Sequence, residues 1–135
     1  MPVYRFREAA DLLGVSDDTL RRWADAGRVQ TTTDASGRRA IEGVELARFA
    51  EQNAAPQPDA NPVSRESARN RFVGLVTKVT RDTVMAQVEL QCGPFRVVSL
   101  LSREAADELA LEPGVTAIAS IKSTNVVVEV QGDRP

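Results

Sequence analysis

Apolar positions near the start of the chain recur with a helical period. Phe6, Ala9, Ala10 and Leu13 stand at i, i+3, i+4 and i+7, which predicts a short helix with one buried stripe. Gly14 ends it, because the left-handed backbone that closes a helix favours glycine. Ser16 is placed to cap a second helix, with Asp17 and Asp18 at its positive end. Leu20 and Trp23 form the buried stripe of that helix, Val15 packs just ahead of it, and it stops near Ala26 and Gly27. Arg28 to Ile41 carries threonines, then Asp34-Ala35-Ser36-Gly37, the pattern of a two-stranded hairpin turning at Ala35–Gly37. A further helix is expected from about Glu42 to Gln52, with Val44, Leu46, Ala47, Phe49 and Ala50 as its apolar side.

The next stretch breaks the pattern. Gln52 to Pro62, QNAAPQPDANP, holds three prolines and one charge, so it neither continues a helix nor sits inside a sheet. Beyond it the period is two. Phe72–Val79, Val84–Leu90, Phe95–Leu101, Val115–Ile121 and Asn125–Val130 read as five strands, with turns at Asp82-Thr83 and Cys92-Gly93-Pro94. Cys92 reads as a turn residue. Between the third and fourth strands Ser102 caps a short helix ending near Leu109–Leu111, and Pro113-Gly114 reverses the chain. The expected fold is α+β in two domains. A helical domain over 1–52 is followed by a linker over 53–65 and a five-stranded OB-like β-barrel over 66–131.

Helix, glycine turn and second helix make a helix-turn-helix, whose second helix can enter a major groove. Its exposed face carries Asp18, Thr19, Arg21, Arg22 and Asp25, and the hairpin adds Arg28, Arg38 and Arg39 as groups able to straddle phosphates. AADLLGVSDDTLRRWADAGRV, within residues 4–52, resembles MerR-type and excisionase-like winged helix-turn-helix proteins. The resemblance implies a double-stranded DNA partner. By it, Thr19, Arg21 and Arg22 meet bases or phosphates, Trp23 braces the helix, and Arg38 and Arg39 lie on the wing. Charge complicates this: the net charge is -2, and residues 1–52 hold eight basic and nine acidic side chains. A lone domain of that balance binds DNA weakly, so assembly must supply affinity. The dimerisation helix with which MerR proteins usually end has no counterpart here, which assigns assembly to the C-terminal half.

Ser67-Ala68-Arg69-Asn70 with Phe72-x-Gly74-x-Val76, then Leu109-x-Leu111-x-Pro113-Gly114 and Ile121-Lys122-Ser123-Thr124-Asn125-Val126, resemble the molybdate- and tungstate-binding Mop (TOBE) domain over residues 66 to about 130. The residue types suit a tetrahedral dianion, which needs hydroxyl and amide donors with fixed cations. Ser67, Arg69, Ser102, Lys122, Ser123 and Thr124 are the candidates. The resemblance further implies sites shared between subunits of a dimer or hexamer. One position departs from the family: a serine common three residues after the Ser102 position is Ala105 here.

Composition removes other chemistries. No histidine is present, which excludes histidine-based zinc sites and catalytic triads, and the one cysteine, Cys92, excludes an intramolecular disulfide. No apolar run suits a signal peptide or a membrane span, so a cytoplasmic location is expected. The two resemblances together imply a molybdate- or tungstate-sensing transcriptional regulator, and composition argues against an enzyme. The alternative is an intracellular molybdate storage protein whose helix-turn-helix is vestigial or contacts protein.

Overall fold

The computed structural model describes residues 2–58 and 67–132. The chain divides into two compact units, Met1–Pro56 and Gln57–Pro135.

In the first unit the elements run β1 (Val3–Arg5), α1 (Phe6–Leu13), α2 (Asp17–Asp25), β2 (Thr32–Thr33), β3 (Arg39–Glu42) and α3 (Gly43–Asn53). Gly14, at φ 73°, closes α1, and Ser16 caps α2 by accepting a hydrogen bond from the Thr19 amide at 3.2 Å. β2 and β3 form the expected hairpin. β1, which the periodicity did not announce, pairs with the other side of β3, Tyr4 opposite Ile41, giving a sheet of order β1-β3-β2. Phe6, Ala9, Ala10, Leu20, Ala24, Val29, Ile41, Leu46 and Phe49 make the core. Trp23 and Leu13 are half-buried at its margin. Only Leu46 and Phe49 bury the inner face of α3; Val44, Ala47 and Ala50, expected on the apolar side, are exposed.

In the second unit, β4 (Asn70–Arg81), β5 (Met85–Cys92), β6 (Phe95–Ser102) and β7 (Thr116–Ile121) form an antiparallel sheet of order β6-β5-β4-β7, with α4 (Arg103–Glu108) between β6 and β7. A register shift between Val76 and Lys78 marks a bulge, which strengthens the local twist. The sheet curls, so that edge strands β6 and β7 flank an apolar hollow of about 550 Å³. Val76, Ala86, Val88, Leu90, Cys92, Ala106 and Leu111 make the core. Arg81 ties the end of β4 to the far side through Asp107 at 3.1 Å and the Leu111 carbonyl at 2.9 Å.

Three expectations need correction. Asn125–Val130 is not a fifth strand: Ser123–Asn125 forms a 3-10 turn and the residues after it pair with nothing in a sheet. Val127, Val128 and Val130 are 82–90% exposed. A valine pattern encodes strand propensity, but a strand also needs a partner edge, and the described part of this chain offers none there. Cys92 is not a turn residue but the buried last residue of β5, its thiol directed at the Phe72 carbonyl. The expected linker also begins structured. Residue Asn53 ends α3, and Gln57 joins the second unit by accepting from the Val73 amide and donating to the Arg71 carbonyl, both at 2.9 Å. Linker residues 59–65 lie outside the described residues.

Candidate functional site

The first candidate surface is built on α2. Burying Leu20 and Ala24 turns Arg21, Arg22 and Asp25 to solvent, as a 3.6-residue period requires. Thr19 stands at the edge of that face, where its hydroxyl oxygen accepts from Ser16 Oγ at 2.9 Å and from Arg22 Nη2 at 3.3 Å. Arg21 faces the other way, into a hollow of about 430 Å³ lined by Arg5, Phe6, Arg7, Asp17, Arg21, Arg38 and Arg39. Arg39 is held by Asp25 at 2.9 Å and lies 5.1 Å from the centre of the Phe6 ring. Arg5 is held by Asp34 at 3.4 Å. Arg21, Arg38 and Arg39 therefore converge, while Thr19 and Arg22 occupy a separate ridge.

Asp34 organises the hairpin that presents Arg38 and Arg39. Its Oδ1 accepts from the Ser36 hydroxyl at 2.6 Å and from the Ser36 and Arg38 amides at 2.9 Å. Gly37, at φ 81°, completes the turn. The Ser36 hydroxyl foremost, then the Arg38 amide, hold the Asp34 carboxyl at about 2, against an ordinary 3.8. The folded value is depressed, so this contribution is in place above the ordinary value and is lost as pH falls towards 2. In thermal melts, the gap in Tm between wild type and Asp34→Asn is expected to be constant at neutral pH and to close as pH drops from 4 to 2. A gap that persists at pH 2 would refute the assignment.

Arg28 is engaged within the fold. Its guanidinium sits 5.2 Å over Trp23 and 5.9 Å from Phe49, and Nη2 donates to Asn53 Oδ1 at 2.9 Å. Trp23 and Phe49 pack at 5.3 Å with their planes tilted by 52°. Arg28 thus locks α2 to the end of α3. Sequence reasoning missed Arg5 and Arg7 altogether. Their signal, two arginines flanking the first core residue Phe6, becomes visible only once the hairpin folds beside them.

The second candidate surface lies at one end of the β4–β7 pair. Asn70 opposes Ile121 in register, and its side-chain amide donates to the Ile121 carbonyl at 3.1 Å. That pairing sets Arg69 beside Lys122, with Ser67 just upstream and Ser123 and Thr124 just downstream. Arg69 Nη1 reaches the Ser67 carbonyl at 3.4 Å, and Ser67, Arg69, Lys122, Ser123 and Thr124 are all exposed. No carboxylate is among these five, so their side chains offer a tetrahedral anion donors and two cations.

Ser102 is not brought to them. It opposes Met85 at the other end of the sheet, next to where β4 finishes at Arg81. The twelve residues of β4 run between the two groups. There Ser102 caps α4 by accepting from the Ala105 amide at 3.1 Å. Among the described residues no group of His, Cys, Asp and Glu is arranged to hold a metal cation, and no helix is long and apolar enough to cross a membrane.

These two surfaces define a protein that pairs a helix-turn-helix with a β-domain. The family descriptions agree: residues 3–54 match a helix-turn-helix domain and residues 66–128 match the TOBE domain. Molybdenum-pterin-binding protein 3 of Clostridium pasteurianum is 36% identical over 63 residues, 46% of this chain and 93% of that protein. The molybdenum transport protein ModE of Herbaspirillum seropedicae is 41% identical over 68 residues, 50% of this chain but 25% of ModE, so the chain spans a quarter of that relative. Among solved structures, a molybdate-binding protein from Sporomusa ovata aligns with TM-score 0.48 at 26% identity, covering 49% of this chain and 98% of that one. The chain belongs to the TOBE-domain family, with a helix-turn-helix domain ahead of the TOBE domain.

Proposed function

We propose that this chain is a transcriptional regulator that binds duplex DNA through its first unit and a molybdate or tungstate ion through its second. The observation that carries the reading is a concentration of arginine around α2 in a chain of net charge -2, joined to a domain whose relatives are named for molybdenum. Thr19 and Arg22 meet base edges, and Arg21, Arg38 and Arg39 meet phosphates, with the β2–β3 hairpin acting as the wing.

Ser67, Arg69, Lys122, Ser123 and Thr124 bind the oxyanion. Ser102, at the far end of the sheet, completes a site only with a second copy, which supports anion sites shared between subunits. The exposed Val126–Val130 segment and the edges of β6 and β7, unpaired among the described residues, support the same assembly, since an extended apolar segment and an open edge are complementary. Anion binding between copies then fixes the spacing of two DNA-binding units.

Anisotropy on candidate operators, with and without molybdate, tests the regulator. The expected result is an affinity that changes with the anion. Lys122→Ala is expected to weaken molybdate binding by about 10- to 100-fold, the loss of one charge-assisted contact, and to abolish the anion's effect on DNA. Identical DNA curves with and without molybdate, alongside a calorimetric molybdate signal, would favour the storage reading, which the acidic balance of residues 1–52 supports. Absence of a molybdate signal would remove the anion claim.

A further inference from the structure

We propose that the arginine-lined hollow beside α2 is a clamp for one backbone phosphate of duplex DNA, and that Arg7 and Arg5, ahead of the helix-turn-helix, belong to it. The inference rests on the reading that the first unit binds DNA and adds where the sugar-phosphate backbone is held.

Five arginines from three separate parts of the fold line one hollow. Arg5 and Arg7 come from the β1–α1 junction, Arg21 from α2, and Arg38 and Arg39 from the hairpin. The assembled hollow is a product of tertiary structure, which is why no stretch of sequence announces it. Like charges gathered on one hollow repel one another, and an anion between them relieves that repulsion.

The protein supplies only part of that anion. Asp34 and Asp25 neutralise Arg5 and Arg39 and hold them in place. The side chains of Arg7, Arg21 and Arg38 make no hydrogen bond or ion pair among the described residues. Two cations are thus fixed in advance, which lowers the entropy lost on binding, and three remain available.

The chemistry selects phosphate over a base edge. Arginine only donates, and five donors around one point suit an oxygen-rich anion. A base edge mixes donors with acceptors and would find one acceptor side chain here, Asp17. The ridge bearing Thr19 and Arg22, whose hydroxyl both donates and accepts, lies apart from the hollow and keeps the base-reading role.

The test uses the full chain and two mixed-sequence duplexes of about 30 base pairs, with anisotropy measured from about 25 to 150 mM salt. Arg7 is exposed and its side chain makes no hydrogen bond or ion pair among the described residues, so Arg7→Ala is expected to keep the fold. It is expected to weaken binding about three- to tenfold on both duplexes alike, and to make the slope of log K against log salt shallower by about 0.9, one phosphate's worth of released counterion. Arg7→Lys should restore the slope. Wild-type affinity and slope in Arg7→Ala would overturn the clamp while leaving DNA binding intact, as would a loss confined to one duplex. Displacement of the duplex by inorganic phosphate, beyond that by chloride at equal ionic strength, would also overturn it by making the hollow a small-anion site. Failure of the wild type to bind either duplex at the lowest salt would instead sink the DNA reading beneath it.

Discussion

Gly74→Ala is expected to lower the stability of the C-terminal unit by about 3 kcal/mol or more, the upper range for overpacking a filled site. For a unit of this size that is a fall in Tm of roughly 10–20 °C. A Cβ at position 74 would stand 2.4 Å from the Gln91 carbonyl oxygen and 2.6 Å from Cys92 Sγ. The thiol can be cut back, but the carbonyl belongs to the strand that Leu75 pairs with and cannot retreat without parting β4 from β5. The double variant Gly74→Ala, Cys92→Ala should therefore recover only part of the loss. Thermal melts by circular dichroism decide it, and a single variant melting within a few degrees of wild type would refute the contact.

Leu20→Ala is the second large effect. Leu20 has no exposed surface and lies in a core of nine buried residues with Phe6, Ile41 and Phe49. Truncating a buried leucine costs about 2–5 kcal/mol, depending on how far the site collapses. A unit of about 56 residues commands only a few kcal/mol in total, at roughly 0.05–0.15 kcal/mol per residue. The helix-turn-helix is thus expected to be largely unfolded near 37 °C, with the proposed DNA binding lost. The molybdate binding proposed for the TOBE unit, measured by calorimetry at low temperature, should survive, because that unit has its own core. Retained DNA affinity in Leu20→Ala would show that α2 does not depend on this packing.

Much of the architecture is written locally. The apolar stripe of α1, the Ser16 cap, the Asp34–Gly37 turn, four strands of the β-domain and the Ser102 cap each depend on residues within a few positions of one another, where propensity and side-chain chemistry act directly. What could not be read depends on distant partners. β1 is only three residues long and exists because β3 offers it an edge some 36 positions later. Asn125–Val130 has the composition of a strand but pairs with no edge among the described residues. Arg28 looks like any hairpin arginine until Trp23 and Phe49 come together beneath it. The candidate sites show the same division. SARN and IKSTN are contiguous words, and register alone sets them side by side. That Ser102 stands at the opposite end of the sheet, and that Arg5 and Arg7 join the hairpin arginines, are facts of the fold. Gly74 sits between: a glycine inside a strand announces a close approach without saying to what.

The burial of Cys92 has a practical consequence. Its side chain is 5% exposed beneath the Gly74 crossing, and loss of hydration pushes its thiol pKa up, away from the reactive thiolate. Oxidants and alkylating reagents in the surrounding water meet this sulfur only when β4 and β5 part. The chain therefore carries an internal clock: the rate at which its one thiol is modified records how often the sheet breathes, and a ligand that steadies the sheet will slow that clock without touching the sulfur.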